Sequence, residues 1–224
     1  RQTQGRGRLG RVWESPEGGI YCSLIVRPSL GTPPAGGVGE GVPEPQAEGR
    51  PRRSVRDIPQ LSLLMGLSAA EAIRESAMVS PRVRWPNDLL IGAQKIAGIL
   101  TEARDGAVVI GIGINVSTAP TDLPDTATSL AAAGGENLDL FHLTARLYRR
   151  FFRWYDLWSG EGFPPVHEAL RPHMGLFGEI VHIRAGSEEF EGTATDLDES
   201  GRLLVRLDSG ILKPFDVGEV TLLR

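Results

Sequence analysis

Apolar and polar positions alternate in blocks whose period changes along the chain. Residues 20–26, rich in β-formers, predict a strand. From Pro59, the residues Leu61, Leu64, Met65, Ala69, Ala72 and Ile73 recur at helical spacing, with a proline near the start, and predict an amphipathic helix. Short strands are then expected at VRW, LLI, KIAGIL and AVVIGIGINV, the last two joined through the tight-turn pair Asp105-Gly106. Residues 139–158 predict a second amphipathic helix through Leu140, Leu143, Leu147, Phe151, Tyr155 and Trp158, whose aromatics are expected to pack in a core. From Gly178 onward only short strands and Gly, Asp and Ser turns follow, the pattern of a small barrel of about five strands.

These elements imply an α+β fold: a mixed, largely antiparallel sheet with packed helices over residues 1–177, then a small β-barrel over 178–224. Residues 31–56 carry Gly, Pro and charge but almost nothing for a core, and are expected to be a mobile, solvated insertion, with carrier docking as the other reading.

Composition narrows the function. With 224 residues, 41% hydrophobic and 23% charged, the chain is long enough to bury a substantial core. A net charge of −4 argues against a general nucleic-acid binder. The single cysteine, Cys22, excludes a disulfide framework and reads as a buried structural thiol. The four histidines are scattered without metal-ligand spacing. No apolar run is long enough to span a bilayer and no signal peptide is evident, so the expected compartment is the cytoplasm and no membrane partner is expected.

Positive charge is nonetheless concentrated at the start, where RQTQGRGRLGR places four arginines and three glycines in eleven residues. Such a stretch is either a disordered RNA-binding tail or a loop that wraps an anion, since glycine lets backbone N–H groups approach closely and arginine offers a planar fork. RWPND (residues 84–88) sets an aromatic, a rigid turn residue, an amide and a carboxylate in succession. KIAGILTE opens with Lys95, which either snorkels to solvent or points at a buried anion or carbonyl. GIGIN (residues 111–115) brings backbone close to something through Gly111 and Gly113, with Asn115 beside them, although Val116 stands where a dinucleotide fingerprint would have its third glycine.

Taken in order, Q-T-x-G-R-G-R-x-G-R-x-W, R-W-P-N-D, K-x-x-G-I-L-x-E and G-x-G-x-N resemble the catalytic domain of the biotin protein ligases, a class II synthetase-like fold, and the tail resembles that family's SH3-like domain. The resemblance covers the chain apart from the insertion. It implies two steps: biotin and ATP with Mg2+ give biotinyl-5′-AMP and pyrophosphate, then a lysine of the biotin carboxyl carrier protein of a biotin-dependent carboxylase takes the biotinyl group. By the same resemblance Gln2 meets the ureido ring, and Gly5, Arg6, Gly7 and Arg8 close over carboxylate and acyl phosphate, Arg8 retaining the adenylate. Trp13 folds over the ligand, Gly98 lies against it, and Lys95 holds and polarises the carboxylate. Arg84, Asn87, Gly111, Gly113 and Asn115 face the nucleotide. Asp88 either engages magnesium or, with Asn87, makes a structural turn.

The family usually has lysine where Arg84 stands, a different shape of cation. It also carries an upstream strand and helix with a Ser/Thr-Asn motif, expected to be missing from this chain, which has no initiator methionine. No DNA-repressor role is expected, and a homodimer is implied by resemblance only. The competing readings are a lipoate-type acyl-adenylate ligase and a truncated, non-catalytic module that binds the adenylate or carrier.

Overall fold

The computed structural model describes residues 2–28, 57–216 and 218–223; the insertion expected at 31–56 lies outside them. Strand β1 (Gly19–Val26) is followed by helix α1 (Ile58–Ala77), then β2 (Arg82–Arg84), β3 (Asp88–Ile91), β4 (Gln94–Arg104) and β5 (Ala107–Asn115). Helices α2 (Leu140–Glu161) and α3 (Pro164–Leu170) precede a second set of strands: β6 (Ile180–Ala185), β7 (Glu188–Leu197), β8 (Leu203–Leu207), β9 (Leu212–Phe215) and β10 (Glu219–Leu222). The first sheet has the order β1-β5-β4-β3-β2 and the second β10-β6-β7-β8-β9.

All strand pairs in the first sheet are antiparallel; the parallel component is confined to the isolated bridges Val83–Met174 and Lys95–Ala127. In the second sheet every named pair is antiparallel as well. It is an open ladder of five strands: no pairing closes β9 onto β10 among the described residues.

Helix α2 follows its sequence pattern. Asp139 caps it by accepting the His142 N–H at 2.9 Å, and Leu143, Leu147, Phe151, Trp154 and Trp158 form its buried stripe. Helix α1 does not behave as an amphipathic helix, because residues 60–70 are buried all round. It runs between the first sheet, α2 and α3, so its polar residues find partners inside. Ser68 Oγ donates to Leu64 O at 2.8 Å, and Gln60 Nε2 donates to Glu199 O at 2.9 Å. Facing α2, Cys22 shares a hydrogen bond with Tyr148. Burial raises the Cys22 thiol, and Tyr148 is pushed up to about 12, by burial first and by Cys22 second. A thiol held protonated in this way is structural.

Helix α3 is tied to the second sheet by Asp196. Its carboxylate lies 2.8 Å from His167 Nε2, 2.5 Å from Arg171 and 2.9 Å from the Leu197 N–H. Burial alone would raise this carboxyl, but the Leu197 N–H, His167 and Arg171 outweigh it and hold it below the usual range. A depressed folded-state value stabilises the fold above the unfolded carboxylate value of about 3.9 and is lost as pH falls through the folded value. Asp196→Asn is therefore expected to lower the melting temperature at neutral pH. The gap from wild type closes as pH is taken below the ordinary carboxylate range, and melting curves across pH 2–7 check it.

Candidate active site

Register brings the motifs together. Tyr21 pairs with Gly113, Gly113 with Gly98, Gly98 with Asp88, and Asp88 with Arg84, so one transverse row of the first sheet collects residues from five strands. Paired residues share a face, and this face lies opposite the one that carries the buried Ile110, Ile112 and Ile114, on the side where α1 packs. Lys95 precedes Gly98 by three positions, which strict alternation would place on the opposite face. An irregularity in the β3–β4 ladder, where Leu89 pairs with Ala97 but Leu90 with Lys95, takes up the extra residue Ile96. It returns the lysine to the face of Asp88 and Gly98.

The charges on this face are interlocked. Lys95 Nζ lies 2.5 Å from Asp88 Oδ1, and Arg84 donates to Asp88 Oδ2 at 2.7 Å. Asn87 donates to Ile99 O at 2.9 Å and accepts from Arg8 at 3.0 Å, which anchors the opening loop to the turn between β2 and β3. Both Asp88 oxygens thus face cations, and the described residues contain no group of three or more His, Cys, Asp or Glu side chains that could hold a metal.

Above the row sits the glycine- and arginine-rich loop, closed on itself by Trp13 N–H to Gly5 O (3.0 Å), Gly7 N–H to Arg11 O (2.7 Å) and a tight turn at Arg8–Gly10. Trp13 lies flat on the glycines. A Cβ on Gly113 would stand 2.5 Å from Trp13 Nε1, and one on Gly98 would stand 2.8 Å from the ring and 3.0 Å from Lys95 Nζ. These strands carry glycine because an indole and an ammonium occupy the space a side chain would fill. Lys95 Nζ sits 5.2 Å from the Trp13 ring centre, and the buried Trp13 Nε1 has no hydrogen-bond partner. Gln2 Oε1 accepts from Ser15 Oγ at 3.0 Å. Burial draws the Arg8 guanidinium below its ordinary value, Asp88 opposes that, and Arg11 adds to it.

The space between loop and sheet is a cavity of about 930 Å³, and every residue singled out from the motifs lines it, from Gln2 and Gly5 through Arg6, Gly7 and Arg8 to Gly111 and Asn115. The side chain of Asn115 is engaged beneath it, donating to Thr128 O at 3.1 Å. Lys95 is fixed at its backbone too, its N–H on Thr126 O and its carbonyl on Thr128 N–H, both at 2.9 Å.

Three contributors escaped the sequence reading. Glu219 of β10 forms ion pairs with Arg11 of the loop and Arg184 of β6, so the second sheet supplies one wall of the cavity. Nothing local in GEVTLLR marks that glutamate. Arg11, by contrast, stands inside a motif already dense in arginine.

The model of the biotin/lipoate A/B protein ligase family matches residues 1–35 and 48–118, and that of the biotin protein ligase C-terminal domain matches 176–223. A biotin--[acetyl-CoA-carboxylase] ligase of Mycobacterium tuberculosis is 30% identical over 212 residues, covering 90% of this chain and 69% of that protein. The chain belongs to the biotin protein ligase family. A bifunctional ligase/repressor BirA of Bacillus subtilis is 34% identical over 223 residues, and the chain spans 62% of its length. Among solved structures, the biotin protein ligase of Aquifex aeolicus in complex with biotin and ATP superposes with a TM-score of 0.79 at 29% identity, covering 100% of this chain and 86% of that one. The α+β architecture is thus that of a biotin protein ligase, and none of the described helices is long and apolar enough to cross a membrane.

Proposed function

We propose that this chain joins biotin to ATP, giving biotinyl-5′-AMP and pyrophosphate, and passes the biotinyl group to a lysine of a biotin carboxyl carrier protein. The observation that carries this reading is the transverse row Gly113–Gly98–Asp88–Arg84, with Lys95 turned onto it and an arginine loop above. Two anions must meet there against their repulsion. A carboxylate oxygen of biotin attacks the α-phosphorus and pyrophosphate leaves; the neutral amine of the carrier lysine then attacks the acyl carbon, gives up a proton, and AMP leaves. Neither step needs a covalent bond to the enzyme. Both need fixed cations and N–H donors aimed at the oxygens where charge develops.

In this reading Lys95 holds and polarises the carboxylate and Arg8 retains the adenylate, while Gln2, Gly5, Arg6, Gly7, Trp13 and Gly98 enclose biotin. The unpartnered Trp13 N–H is a donor available to the ligand. Arg84, Asn87, Gly111, Gly113 and Asn115 line the nucleotide side. Asp88 anchors Lys95 and Arg84. Magnesium arrives as the counter-ion of ATP, since the carboxylate present is already engaged by two cations and does not fit a resident metal site. The catalytic part is assigned to residues 1–177 and the open sheet to 178–224. No operator DNA contact is included, and a homodimer is carried from the resemblance.

Incubation with labelled biotin, Mg-ATP and a carrier domain bearing an exposed lysine tests this. Label on the carrier, absent when lipoate replaces biotin, is the expected result. A folded protein that labels the carrier only from lipoate, or binds biotin without labelling it, overturns the reading in favour of a lipoate-type ligase or a binding module respectively.

A further inference from the structure

We infer that Trp85 is a positioning residue for the nucleotide side of the cavity, and that the β7–β8 hairpin of the C-terminal sheet is the support it rests on. Trp85 lies in the turn that lines the cavity, where Arg84 and Asp88 form an ion pair and Asn87 grips Arg8 and β4. Its indole is 2% exposed, and its N–H donates to Gly201 O at 3.0 Å, a carbonyl of the turn between β7 and β8. The neighbouring Pro86 carbonyl is held from α1 by Ser62 Oγ at 3.2 Å.

The hairpin tip is built to hold still. Asp198 accepts from the Ser200 N–H at 2.9 Å, the Arg202 N–H at 3.0 Å and Arg202 Nε at 2.6 Å. Gly201 adopts φ +79°, and a Cβ there would stand 3.0 Å from Leu63. Glycine meets both demands without strain, whereas a side chain there would strain the backbone and push on Leu63. From the other side, Trp158 Nε1 donates to Gln60 Oε1 at 2.6 Å, and Gln60 donates to Glu199 O at 2.9 Å. Two buried tryptophans and a glutamine thus seat the tip against the catalytic core. A buried indole N–H without its acceptor is costly, so the turn and the hairpin favour moving together. The turn passes that seating to its outer side, where the Ile99 N–H donates to Asn87 O at 2.8 Å and the Asn87 N–H to Arg84 O at 3.2 Å. Neither Asp198 nor Gly201 lines the cavity. Their influence on it runs through Trp85.

The inference rests on the reading that the 84–88 turn faces the nucleotide, and its test separates the two. Trp85→Phe keeps a ring and removes the donor; Asp198→Ala loosens the tip from outside. In the full chain, both variants are expected to speed hydrogen exchange at the Asn87 and Ile99 amides while leaving α1 amides such as Leu64 as in wild type. The KM for ATP is expected to rise about three- to tenfold, the range that losing one neutral hydrogen bond allows, with biotin affinity unchanged. Unchanged exchange at Asn87 and Ile99 in folded variants overturns the inference, as does an equal loss of ATP and biotin binding. If Trp85→Phe fails to fold, Asp198→Ala decides alone. A wild-type chain without biotin-dependent turnover defeats the functional reading instead, and the exchange measurement still tests the support.

Discussion

Lys95→Ala is expected to slow adenylate formation by about 10²–10³-fold, the usual consequence of deleting one fixed donor from a site where charge develops on oxygen. The lysine side chain is about one-quarter exposed, and its ammonium sits between Asp88 and the Trp13 ring, with the bulge in the β3–β4 ladder holding it on the site face. Removing it also takes away one of the two ion-pair partners of Asp88, leaving Arg84. The loss therefore falls on kcat more than on the KM for biotin, because a positioned cation matters most where the carboxylate becomes an acyl phosphate. Lys95→Arg is not expected to restore the rate. A guanidinium fork is broader than an ammonium, and the space beside Gly98 already brings Lys95 Nζ to within 3.0 Å of where a Cβ would stand. Single-turnover formation of labelled adenylate measures both variants. A Lys95→Ala rate within a few-fold of wild type contradicts the role.

The second large effect is steric. Gly113→Val puts a Cβ 2.5 Å from Trp13 Nε1 and 2.6 Å from Trp13 Cε2, closer than real side chains approach. Either the indole leaves the floor and enters the cavity, or the strand shifts and breaks its register with Gly98. Overpacking of this kind costs about 1–3 kcal/mol, and with the displaced indole occupying the cavity that cost is set against ligand binding, so biotin affinity is expected to fall by about five- to 150-fold. Gly160→Ala, in α2 with open space at its Cβ, serves as the control and is expected to leave affinity as it is. Calorimetric titration with biotin reads both. Equal affinities for Gly113→Val and wild type would mean that Trp13 does not lie over this glycine.

Much of the fold was legible because local chemistry determines it. Helix α2 shows its buried stripe in the spacing from Leu143 to Trp158, and the Asp105-Gly106 pair marks the β4–β5 turn, Asp105 and Gly106 both at positive φ. The candidate residues were legible as types. Glycines too regular for a strand and arginines too dense for a surface loop both point to close approach and anion binding. What could not be read is what distant segments do to one another. Helix α1 read as amphipathic, but Gln60 and Ser62 are buried on partners in other segments, Glu199 O and Pro86 O, while Ser68 is satisfied within the helix by Leu64 O. The side of the sheet that Lys95 occupies depends on one extra residue in a ladder, which periodicity alone would have assigned wrongly. Glu219 and Gly201 lie far along the chain from the loop and turn they contact, and nothing in their own neighbourhoods reports it. Trp85 was legible as part of a motif, but its acceptor was not.

In the proposed reaction this cavity joins the carboxylate of biotin to the α-phosphate of ATP. Exchange of labelled pyrophosphate into ATP tests that half-reaction without a carrier protein. Exchange is expected to require biotin and magnesium, to be absent with lipoate, and to collapse in Lys95→Ala. A folded wild-type protein that shows no exchange with biotin, or the same exchange without it, contradicts the proposed reaction.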